Sequence, residues 1–383
     1  MKKIMLVFGT RPEAIKMAPL VIELKKHPES FQTIVCVTGQ HREMLDQVLN
    51  LFNITPDFDL NIMQHDQSLN AITAKIISGL DVVFTQANPD IVLVHGDTNT
   101  SFAAALAAFY RRIPVGHVEA GMRTWNLNFP FPEEANRVLT SQIASVHFAP
   151  TTLNTTNLVK SGVAKTKIVK TGNTVIDSLL YTAKKVTGFS NQVNDLGLKL
   201  AVGSGKKIIL VTGHRRENFG KGFANICKAL LKVAKTNPNV IIIYPVHLNP
   251  NIKTPIETEL GATPNIILTD PLSYPDFVYL MKESYLILTD SGGIQEEGPS
   301  LGKPVLVMRD VTERPEAIKS GTVKLVGTDI NKIVQQINLL LTSKTVYSKM
   351  SKKTNPYGDG KAAERITKWL LKNATAIKKL QPK

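Results

Sequence analysis

Cysteine and long apolar runs are scarce in this sequence of 383 residues. The two cysteines, Cys36 and Cys227, each lie inside a short apolar segment, which excludes a disulfide framework and a cysteine-built zinc site. No apolar stretch approaches the ~20 residues that a membrane-spanning helix needs. The apolar part of residues 1–8 is also too short for the core of a signal peptide. We therefore expect a cytoplasmic protein that does not enter a membrane.

Aromatic and acidic residues are also few. Aromatic residues make up 6% of the chain, and 31 acidic residues stand against 46 Lys and Arg, which gives a net charge of +15. Of that charge, +9 lies in residues 344–383, and Lys outnumbers Arg by 35 to 11. Scattered lysine is typical of a solvated surface, and no group of aromatic and basic residues offers a platform for bases. The composition predicts no nucleic-acid partner, although it suits an anionic small molecule.

Several cofactor motifs are missing from the sequence. It has no GxGxxG pattern for a nicotinamide dinucleotide and no HExxH pattern for zinc. Residues 203–207 (GSGKK) resemble a phosphate loop, but a predicted strand follows them instead of preceding them, and Lys207 replaces the required Ser or Thr. We therefore expect neither a nicotinamide cofactor nor a metal.

Short runs of Val, Ile and Leu alternate with helical segments along the whole chain. Such near-continuous apolar runs are typical of parallel strands that helices cover on both faces. About six runs in each half predict an α/β protein of two Rossmann-like, doubly wound domains, with their ligand crevices facing a shared cleft. The predicted strands are 4–8, 33–37, 91–95, 115–118, 146–148 and 168–171 in the first half, and 207–212, 240–244, 266–269, 286–289, 305–308 and 323–326 in the second.

A polar stretch that contains glycine separates the two halves. We expect an N-terminal Rossmann-like domain at 1–173, a linker region at 174–205 and a C-terminal Rossmann-like domain at 206–360. The remaining residues, 361–383, are basic and contain an amphipathic helix predicted at 362–379. We expect this segment to pack back on the N-terminal domain.

One predicted strand leads into a turn of the kind that binds phosphate. The strand at 286–289 continues through Ser291, Gly292 and Gly293 into a predicted helix. Glycine lets the backbone approach a ligand, and the first N–H groups of a helix attract an anion. A plain N-cap by Ser291, with glutamate in the first turn, explains the same pattern nearly as well. Taken alone, the motif leaves both interpretations open.

Charged side chains follow other predicted strands of the first half. Arg11 and Lys16 come after the first strand, where cations can hold a diphosphate. Asp97, Glu119 and Glu133 lie where burial and neighbouring charges can prepare acids for proton transfer. Each acid alone is more often a helix cap or part of a structural ion pair, and the cations also fit a solvated helix start. Three acids at one sheet edge nevertheless favour a catalytic site.

Histidine and arginine add to this pattern. His214 follows the strand at 207–212 and would donate to phosphate, although a lone histidine is more often structural. Six of the 11 arginines lie in or beside the motifs: Arg11, Arg123, Arg137, Arg215, Arg216 and Arg314. Because the guanidinium fork suits phosphate and carboxylate groups, this distribution favours an anionic ligand.

Taken together, these motifs resemble those of the non-hydrolysing UDP-N-acetylglucosamine 2-epimerases. The matching segments run in family order from residue 9 to about 363 and include GTRPEAIKMAPL, HGDTNTSFAAALAA, HVEAGMRT, PFPEEANR, TGNTVIDSL, VTGHRRENFG and LTDSGGIQEEGPSLGKP. The resemblance implies a fold like that of the GT-B glycosyltransferases and a homodimer. It also implies reversible conversion of UDP-N-acetylglucosamine to UDP-N-acetylmannosamine, for surface-polysaccharide precursors, without a nicotinamide or a catalytic metal.

The resemblance further implies how the reaction proceeds and which residues take part. UDP is eliminated from C1 and a proton from C2 of the sugar, which gives 2-acetamidoglucal. UDP then adds to C1 again after C2 is protonated from the other face. The implied catalytic residues are Asp97, Glu119, Glu133 and His214. The implied substrate-binding residues are Arg11, Lys16, Arg137, Phe277, Ser291, Gly292, Gly293, Glu297 and Arg314, with Glu297 on the ribose and with Phe277 and Arg314 beside the nucleotide.

The sequence departs from one feature of some family members, a second UDP-N-acetylglucosamine site that activates the enzyme. That site uses two Gln, an Arg and a His, which align with Gln40, Glu43, Asp66 and His247. Gln40 and His247 fit, whereas Glu43 and Asp66 place acids near a diphosphate. The resemblance therefore does not extend this activation to the present chain.

Three other functions fit part of the pattern. A GT-B glycosyltransferase that uses a UDP-sugar would need an acceptor pocket. A hydrolysing epimerase would release UDP and free N-acetylmannosamine. A UDP-sugar sensor would keep Ser291 and Arg11 but lose the acids. The set of three acids argues against the glycosyltransferase and the sensor.

Overall fold

The chain forms two compact units. The computed structural model describes residues 1–39, 42–64, 67–191, 193, 195–213, 215, 218, 220–352 and 354–380, with the backbone alone at 42–44, 251–252 and 378–379. The first unit comprises Met1–Ser178 together with Tyr357–Lys383, and the second comprises Leu179–Pro356. The chain therefore leaves the first unit once and later returns to it.

Strands and helices alternate through the first unit. The elements are β1 (Lys2–Phe8), α1 (Arg11–Leu24), β2 (Phe31–Val37), α2 (Arg42–Leu51), β3 (Phe58–Asp59), α3 (Leu69–Ala87), β4 (Ile91–His95), α4 (Asn99–Tyr110), β5 (Val115–Val118), α5 (Glu133–Ile143), β6 (Val146–Ala149), α6 (Thr152–Lys160), β7 (Ile168–Lys170) and α7 (Thr174–Lys185), which continues into the second unit. A short 3-10 turn, Lys165–Lys167, precedes β7.

The seven strands of the first unit form one parallel sheet in the order β3-β2-β1-β4-β5-β6-β7. Strand β1 is central, and its last five residues, 4–8, are completely buried because helices cover both faces. The order of strands reverses between β1 and β4. The loops that follow these two strands therefore lie side by side at the carboxyl edge, where doubly wound folds bind their ligands.

The second unit repeats the same plan. Its elements are α8 (Leu196–Gly203), β8 (Lys207–Thr212), α9 (Lys221–Thr236), β9 (Val240–Pro245), α10 (Pro250–Leu260), β10 (Ile266–Thr269), α11 (Tyr274–Glu283), β11 (Leu286–Thr289), α12 (Gly292–Ser300), β12 (Val305–Val307), α13 (Pro315–Ser320), β13 (Val323–Leu325), α14 (Ile330–Thr342) and α15 (Lys344–Ser351). The strands form a parallel sheet in the order β10-β9-β8-β11-β12-β13, so the reversal falls between β8 and β11.

The returning segment packs on the first unit through α16 (Ala362–Lys372). The carboxylate of Asp177 accepts hydrogen bonds from the backbone N–H groups of Ala362 at 3.1 Å and Ala363 at 2.8 Å, which satisfies the start of α16. Burial raises the pKa of the Asp177 carboxyl to about 6. The Trp369 ring meets the Phe148 ring edge-on, with centroids 5.5 Å apart. A polar cap and an aromatic contact thus hold α16 against β6 and α7.

These elements confirm the predicted pair of doubly wound parallel-sheet units, with three differences from the sequence-based expectation. The first sheet has a seventh strand, the two-residue β3, which is too short to show as an apolar run. The region 174–205, expected to be a linker, contains α7 and α8. In addition, the units divide at Ser178 and at Pro356, while the expected domain bounds were 173 and 360.

The helix predicted at 362–379 was too long. It ends at Lys372, and a separate 3-10 turn follows at Ile377–Leu380. At this end, the backbone N–H and the side-chain Nδ2 of Asn373 both donate to the Trp369 carbonyl, at 3.0 and 2.8 Å. The N–H of the next residue, Ala374, donates to Leu371, three residues back, so the α-helical pattern stops there. In the part of the chain that the structure describes, we find no helix long and apolar enough to cross a membrane.

We predict that Gly121→Ala destabilises the protein more than Gly162→Ala. Both glycines have φ in the left-handed region, at +97° and +86°, so either substitution costs about 1–2 kcal/mol in backbone strain. At Gly121 a Cβ would also lie 2.4 Å from the Asn154 carbonyl oxygen. A Cβ on Gly162 would have no described atom within 4 Å apart from those of its chain neighbours. The clash adds roughly 1–3 kcal/mol. Urea unfolding of both variants measures the difference, and equal losses would contradict the prediction.

Candidate active site

The first group of charged side chains surrounds Glu119, which follows β5. Glu119 has φ of +62°, a conformation that a residue with a side chain adopts only when its surroundings enforce it. Its Oε2 accepts hydrogen bonds from Lys16 Nζ at 2.6 Å and from Asn173 Nδ2 at 2.8 Å, and it lies 3.7 Å from His95 Nε2. The partners come from α1, the loop after β7 and the end of β4, so only the folded sheet brings them together.

The environment of Glu119 keeps its carboxylate ionised. Burial opposes the charge, since the Glu119 side chain is 8% exposed, but the Lys16 ammonium and the His95 ring outweigh burial. Together they hold the pKa of the Glu119 carboxyl well below its usual range. At neutral pH this group can accept a proton but has none to give.

The second group of charged side chains surrounds Arg137 on α5. Arg137 Nη2 donates to Asp97 Oδ2 at 2.5 Å, and Arg137 Nη1 lies 3.2 Å from Glu134 Oε2. The Arg137 and Glu134 side chains are 7% and 1% exposed, whereas that of Asp97 is 29% exposed. The guanidinium thus fixes Asp97 in place while leaving part of its carboxylate open to a ligand.

Glu133 and Arg11 take part in neither group. Each is the first residue of its helix, α5 or α1, and each side chain is half-buried. The loop at 124–132 that leads to Glu133 is closed by Glu134, whose carboxylate accepts from the backbone N–H groups of Thr124 at 3.0 Å and Trp125 at 3.1 Å. Glu134 therefore anchors both the loop before Glu133 and the arginine that holds Asp97.

In the second unit, the turn after β11 has the form of an anion site. The Ser291 hydroxyl makes no capping hydrogen bond, and the first turn of α12, all of which is described, contains no acid because Glu296 falls one turn later. The plain N-cap interpretation of this turn is therefore wrong. At Gly292 a Cβ would lie 2.6 Å from Arg314 Nη1, so only glycine lets the guanidinium rest against the helix start.

Three arginines converge on Glu313 beside this turn. Glu313 lies 2.6 Å from Arg309 Nη1, 3.0 Å from Arg314 Nη1 and 3.2 Å from Arg215 Nη2, and Arg314 Nε also donates to Glu296 Oε1 at 2.6 Å. Burial opposes the charge of Glu313, yet Arg314 and Arg309 outweigh it and lower the pKa of its carboxyl to about 2. The three guanidinium groups gathered beside this turn suit an anionic ligand.

The loop after β8 is held by Asp290 at the end of β11. Asp290 is fully buried, and its Oδ2 accepts from the backbone N–H of Arg215 at 2.9 Å and from Asn218 Nδ2 at 3.3 Å. At Gly213 a Cβ would lie 2.8 Å from the Tyr244 hydroxyl oxygen, which donates to the Gly213 carbonyl at 3.1 Å. These contacts define the backbone on both sides of His214, a predicted site residue that lies outside the described residues.

The structure thus brings several predicted site residues together and leaves others apart. Lys16 meets Glu119, Arg137 meets Asp97, and Arg314 meets the turn at 291–293, where Glu297 Oε1 lies 3.4 Å from the position of a Cβ on Gly293. Phe277 is half-buried on α11. His247 is exposed after β9, and its Nδ1 accepts from the Asn249 N–H at 3.1 Å. Gln40, Asp66 and the side chain of Glu43 lie outside the described part of the chain.

Sequence analysis missed the residues that support these groups. They are Glu134, Asn173, Glu296, Arg309 and Glu313. Asn173 and Arg309 follow strands β7 and β12, which is the same signal that identified Asp97, and both could have been found in that way. Glu134 and Glu313 also carry a local signal, because each lies three or four positions from an arginine partner, whereas Glu296 meets Arg314 only in the fold.

Two doubly wound parallel sheets with paired charges at their carboxyl edges define a two-unit α/β enzyme. Comparison with known proteins identifies its family. A family model described as UDP-N-acetylglucosamine 2-epimerase matches residues 22–371. The chain belongs to the UDP-N-acetylglucosamine 2-epimerase family, as the motifs in its sequence predict.

Individual relatives agree with this assignment. The chain is 56% identical to the UDP-N-acetylglucosamine 2-epimerase of Escherichia coli K12 over 98% of its own length and 100% of that protein. It is 51% identical, with a TM-score of 0.86, to the Neisseria meningitidis UDP-GlcNAc 2-epimerase crystallised with UDP-GlcNAc, covering 97% of this chain and 100% of that one. The glycosyltransferase of kitacinnamycin, with 12% identity and a TM-score of 0.61 over 100% of this chain and 99% of that one, shares the fold alone.

We predict that protonation of Glu313 lowers the free energy of unfolding at acid pH. A carboxyl whose pKa is about 2 in the folded state stabilises the protein at pH values above its ordinary range near 4.5, and this contribution falls as the pH drops toward 2. Between pH 6.5 and pH 3.5, the wild type should therefore lose roughly 1 kcal/mol more than Glu313→Gln. Urea unfolding at both pH values tests this, with Glu283→Gln, an exposed acid on α11, as control. An identical pH dependence in wild type and Glu313→Gln would contradict it.

Proposed function

We propose that this enzyme interconverts UDP-N-acetylglucosamine and UDP-N-acetylmannosamine by eliminating and re-adding UDP, in the cytoplasm and for surface-polysaccharide precursors. The observation that carries this proposal is the ionised, conformationally strained Glu119 held 2.6 Å from Lys16. In an acid–cation pair of this kind, the carboxylate can take a proton from the sugar while the cation binds the diphosphate. The family and its relative crystallised with UDP-GlcNAc support the same substrate.

The chemistry demands several acids because the hydrogen on C2 is not next to a carbonyl. In the proposed elimination, the C1–O bond to UDP breaks as a carboxylate takes the C2 proton, which leaves 2-acetamidoglucal and UDP. A second acid then delivers a proton to the opposite face of C2 while a UDP oxygen bonds again to C1. Asp97, Glu119 and Glu133 supply these acids in the proposal, and His214 assists them.

Lys16 connects the binding of the diphosphate with the removal of the C2 proton by Glu119. Its ammonium neutralises Glu119 in the structure described here. A substrate diphosphate carries more negative charge than one carboxylate and would compete for this ammonium. As Lys16 turns toward the diphosphate, Glu119 loses the cation that lowers its pKa and becomes a stronger base. Substrate binding would thus prepare the base that removes the C2 proton.

The nucleotide end of the substrate is assigned to the second unit. Gly292 and Gly293 at the start of α12 offer backbone N–H groups to phosphate, and Ser291, whose own N–H donates to Thr289 Oγ1 at 2.9 Å, offers its hydroxyl. Arg314 beside Gly292 adds a guanidinium, Glu297 binds the ribose hydroxyls, and Phe277 lies against the base. In the first unit, Arg11 and Arg137 hold the sugar–diphosphate end. Arginine suits this task because its fork can bind two oxygens at once.

Turnover in heavy water with UDP-N-acetylglucosamine alone tests the proposed reaction. We predict deuterium at C2 of both epimers, without added NAD or acceptor, because every turnover removes the C2 proton and replaces it. Proton NMR detects the loss of the C2 signal. Retention of all C2 protium would contradict the elimination route, and release of UDP only when an acceptor sugar is added would favour a glycosyltransferase.

We predict that Asp97→Asn, Glu119→Gln and Glu133→Gln each lower kcat by about 10²–10⁴-fold, the usual contribution of general acid–base catalysis. The dissociation constant for UDP should not rise, because the phosphate contacts are assigned to other residues and Glu119→Gln leaves Lys16 more available to the diphosphate. Rate measurements and calorimetric UDP titrations test both statements. Glu23→Gln, which removes the carboxylate that pairs with Lys26 on the surface of α1, is the control. Near wild-type rates in all three amide variants would overturn the acid–base assignment.

We predict that Gly292→Ala weakens UDP binding more than the neighbouring Gly293→Ala. A Cβ on Gly292 would displace the Arg314 guanidinium from 2.6 Å, whereas a Cβ on Gly293 meets its nearest described atom at 3.4 Å. Loss of one charged hydrogen bond corresponds to about 10–100-fold in the dissociation constant. Calorimetry with UDP compares the two variants. Equal affinities would remove Arg314 from the proposed phosphate site.

We also propose a homodimer. Its support is the resemblance to a family whose members are typically dimeric. Sedimentation equilibrium across a range of protein concentrations tests it, and a mass near the 42.1 kDa of one chain throughout that range would contradict it.

A further inference from the structure

Glu13 is a buried acid for which neither the predicted site nor the proposed reaction has a role. It lies in the first turn of α1 and is 1% exposed. Its Oε2 accepts hydrogen bonds from the backbone N–H groups of Gly9 at 3.0 Å and Thr10 at 2.8 Å, and from the Thr10 hydroxyl at 2.8 Å. Its Oε1 accepts from the hydroxyls of Thr98 at 2.6 Å and Ser101 at 3.0 Å.

The two oxygens of this carboxylate serve two different loops. Oε2 binds the loop after β1, and Oε1 binds the loop after β4 and the first turn of α4. These are the loops that meet where the strand order of the first sheet reverses. A single side chain therefore bridges the point at which a doubly wound fold places its ligand.

Close packing reinforces the same junction. At Gly9 a Cβ would lie 2.0 Å from Thr38 Oγ1 and 2.7 Å from Thr100 Oγ1, and these two hydroxyls are themselves hydrogen-bonded at 3.1 Å. The loops consequently have little freedom to separate while Glu13 is in place. A residue next to these contacts in either loop is therefore held at a fixed distance from the other loop.

Two predicted site residues are direct neighbours of these contacts in the chain. Arg11 is the next residue after Thr10, and Asp97 is the residue before Thr98. We propose that Glu13 is a positioning residue that sets the spacing between the Arg11 loop and the Asp97 loop. This inference rests on the proposed function for the roles of Arg11 and Asp97, while the bridge itself rests on the contacts of Glu13. Reactions in an oriented site are sensitive to such spacing, since a displacement near 1 Å costs about 10²-fold in rate.

Glu13→Gln is the direct test. The amide keeps the size of the side chain but has one acceptor oxygen in place of two, so it cannot accept from the donors of both loops. We expect kcat to fall by about 10–100-fold and the dissociation constant for UDP to rise several-fold. A folded Glu13→Gln enzyme with both values within about twofold of wild type would overturn the proposal. Glu23→Gln on the same helix is the matched control.

A second pair of variants decides the question if Glu13→Gln does not fold. Thr98→Val removes the nearer of the two hydroxyl donors to Oε1 with little change in shape, and Thr98→Ser restores it. We expect Thr98→Val to lower kcat by about 10-fold with UDP affinity unchanged, and Thr98→Ser to recover most of that loss. Thr98 is also the N-cap of α4, so Ser68→Ala, which removes the exposed N-cap of α3, controls for cap loss. A wild-type rate in Thr98→Val, or an equal fall in Ser68→Ala, would overturn the proposal.

The outcomes separate this inference from the proposed function. If the wild type binds UDP but exchanges no C2 proton, the epimerase proposal fails, and the effect of Glu13→Gln on UDP affinity still tests the Arg11 side of the bridge. If the wild type exchanges the proton and Glu13→Gln behaves as wild type, only the positioning role fails.

Discussion

A carboxylate removed from water needs hydrogen-bond donors or cations close by, and both units meet this need where their strand order reverses. In the first unit, Glu13 accepts from the loops after β1 and β4. In the second, Asp290 at the end of β11 accepts from the backbone of the loop after β8. Each sheet thus secures a pair of neighbouring loops with one buried acid. Asp97 lies beside the junction in the first unit, and Ser291 lies beside the junction in the second.

The acids divide into those that hold structure and those that remain open to chemistry. Glu134 is almost completely buried and bound on both oxygens, whereas Asp97 keeps part of its carboxylate exposed. The cations that accompany Asp97 and Glu119 also differ. Asp97 faces the rigid fork of Arg137, while Glu119 faces the flexible ammonium of Lys16. The charge beside Asp97 is therefore fixed in position, whereas the charge beside Glu119 is carried on a side chain that can rotate.

The sequence predicts the strands well, because a strand buried on both faces must be a continuous apolar run. The two-residue β3 is too short to follow this rule, and the end of α16 at Lys372 falls inside a stretch whose apolar pattern looks helical throughout. The motifs also identify the acids at strand ends, since parallel strands bring those ends to one edge. The partners of these acids cannot be predicted in the same way. Lys16 lies 103 positions from Glu119, and nothing in local sequence specifies that the two will touch.

The limits of sequence analysis are clearest around the turn after β11. The pattern at 291–293 fits both a plain cap and an anion site, and the absence of a capping hydrogen bond from the Ser291 hydroxyl becomes visible only once the helix start is located. Arg309 and Arg314 lie close to Glu313 in the chain, whereas Arg215 comes from 98 positions away. Their convergence is a property of the second sheet and its loops. Function could therefore be predicted from motifs, but the electrostatic balance of the site could not.

The return of the chain to the first unit determines the order in which the protein can be completed on the ribosome. The contacts of Asp177 with Ala362 and Ala363, and of Phe148 with Trp369, join residues made before and after the whole second unit. At about 5–20 residues per second, translation of the intervening segment takes roughly 10–40 s. During that interval, Trp369 is not yet available to pack on Phe148. The second unit is encoded without interruption, so all of its strands are synthesised before α16, the last helix of the first unit.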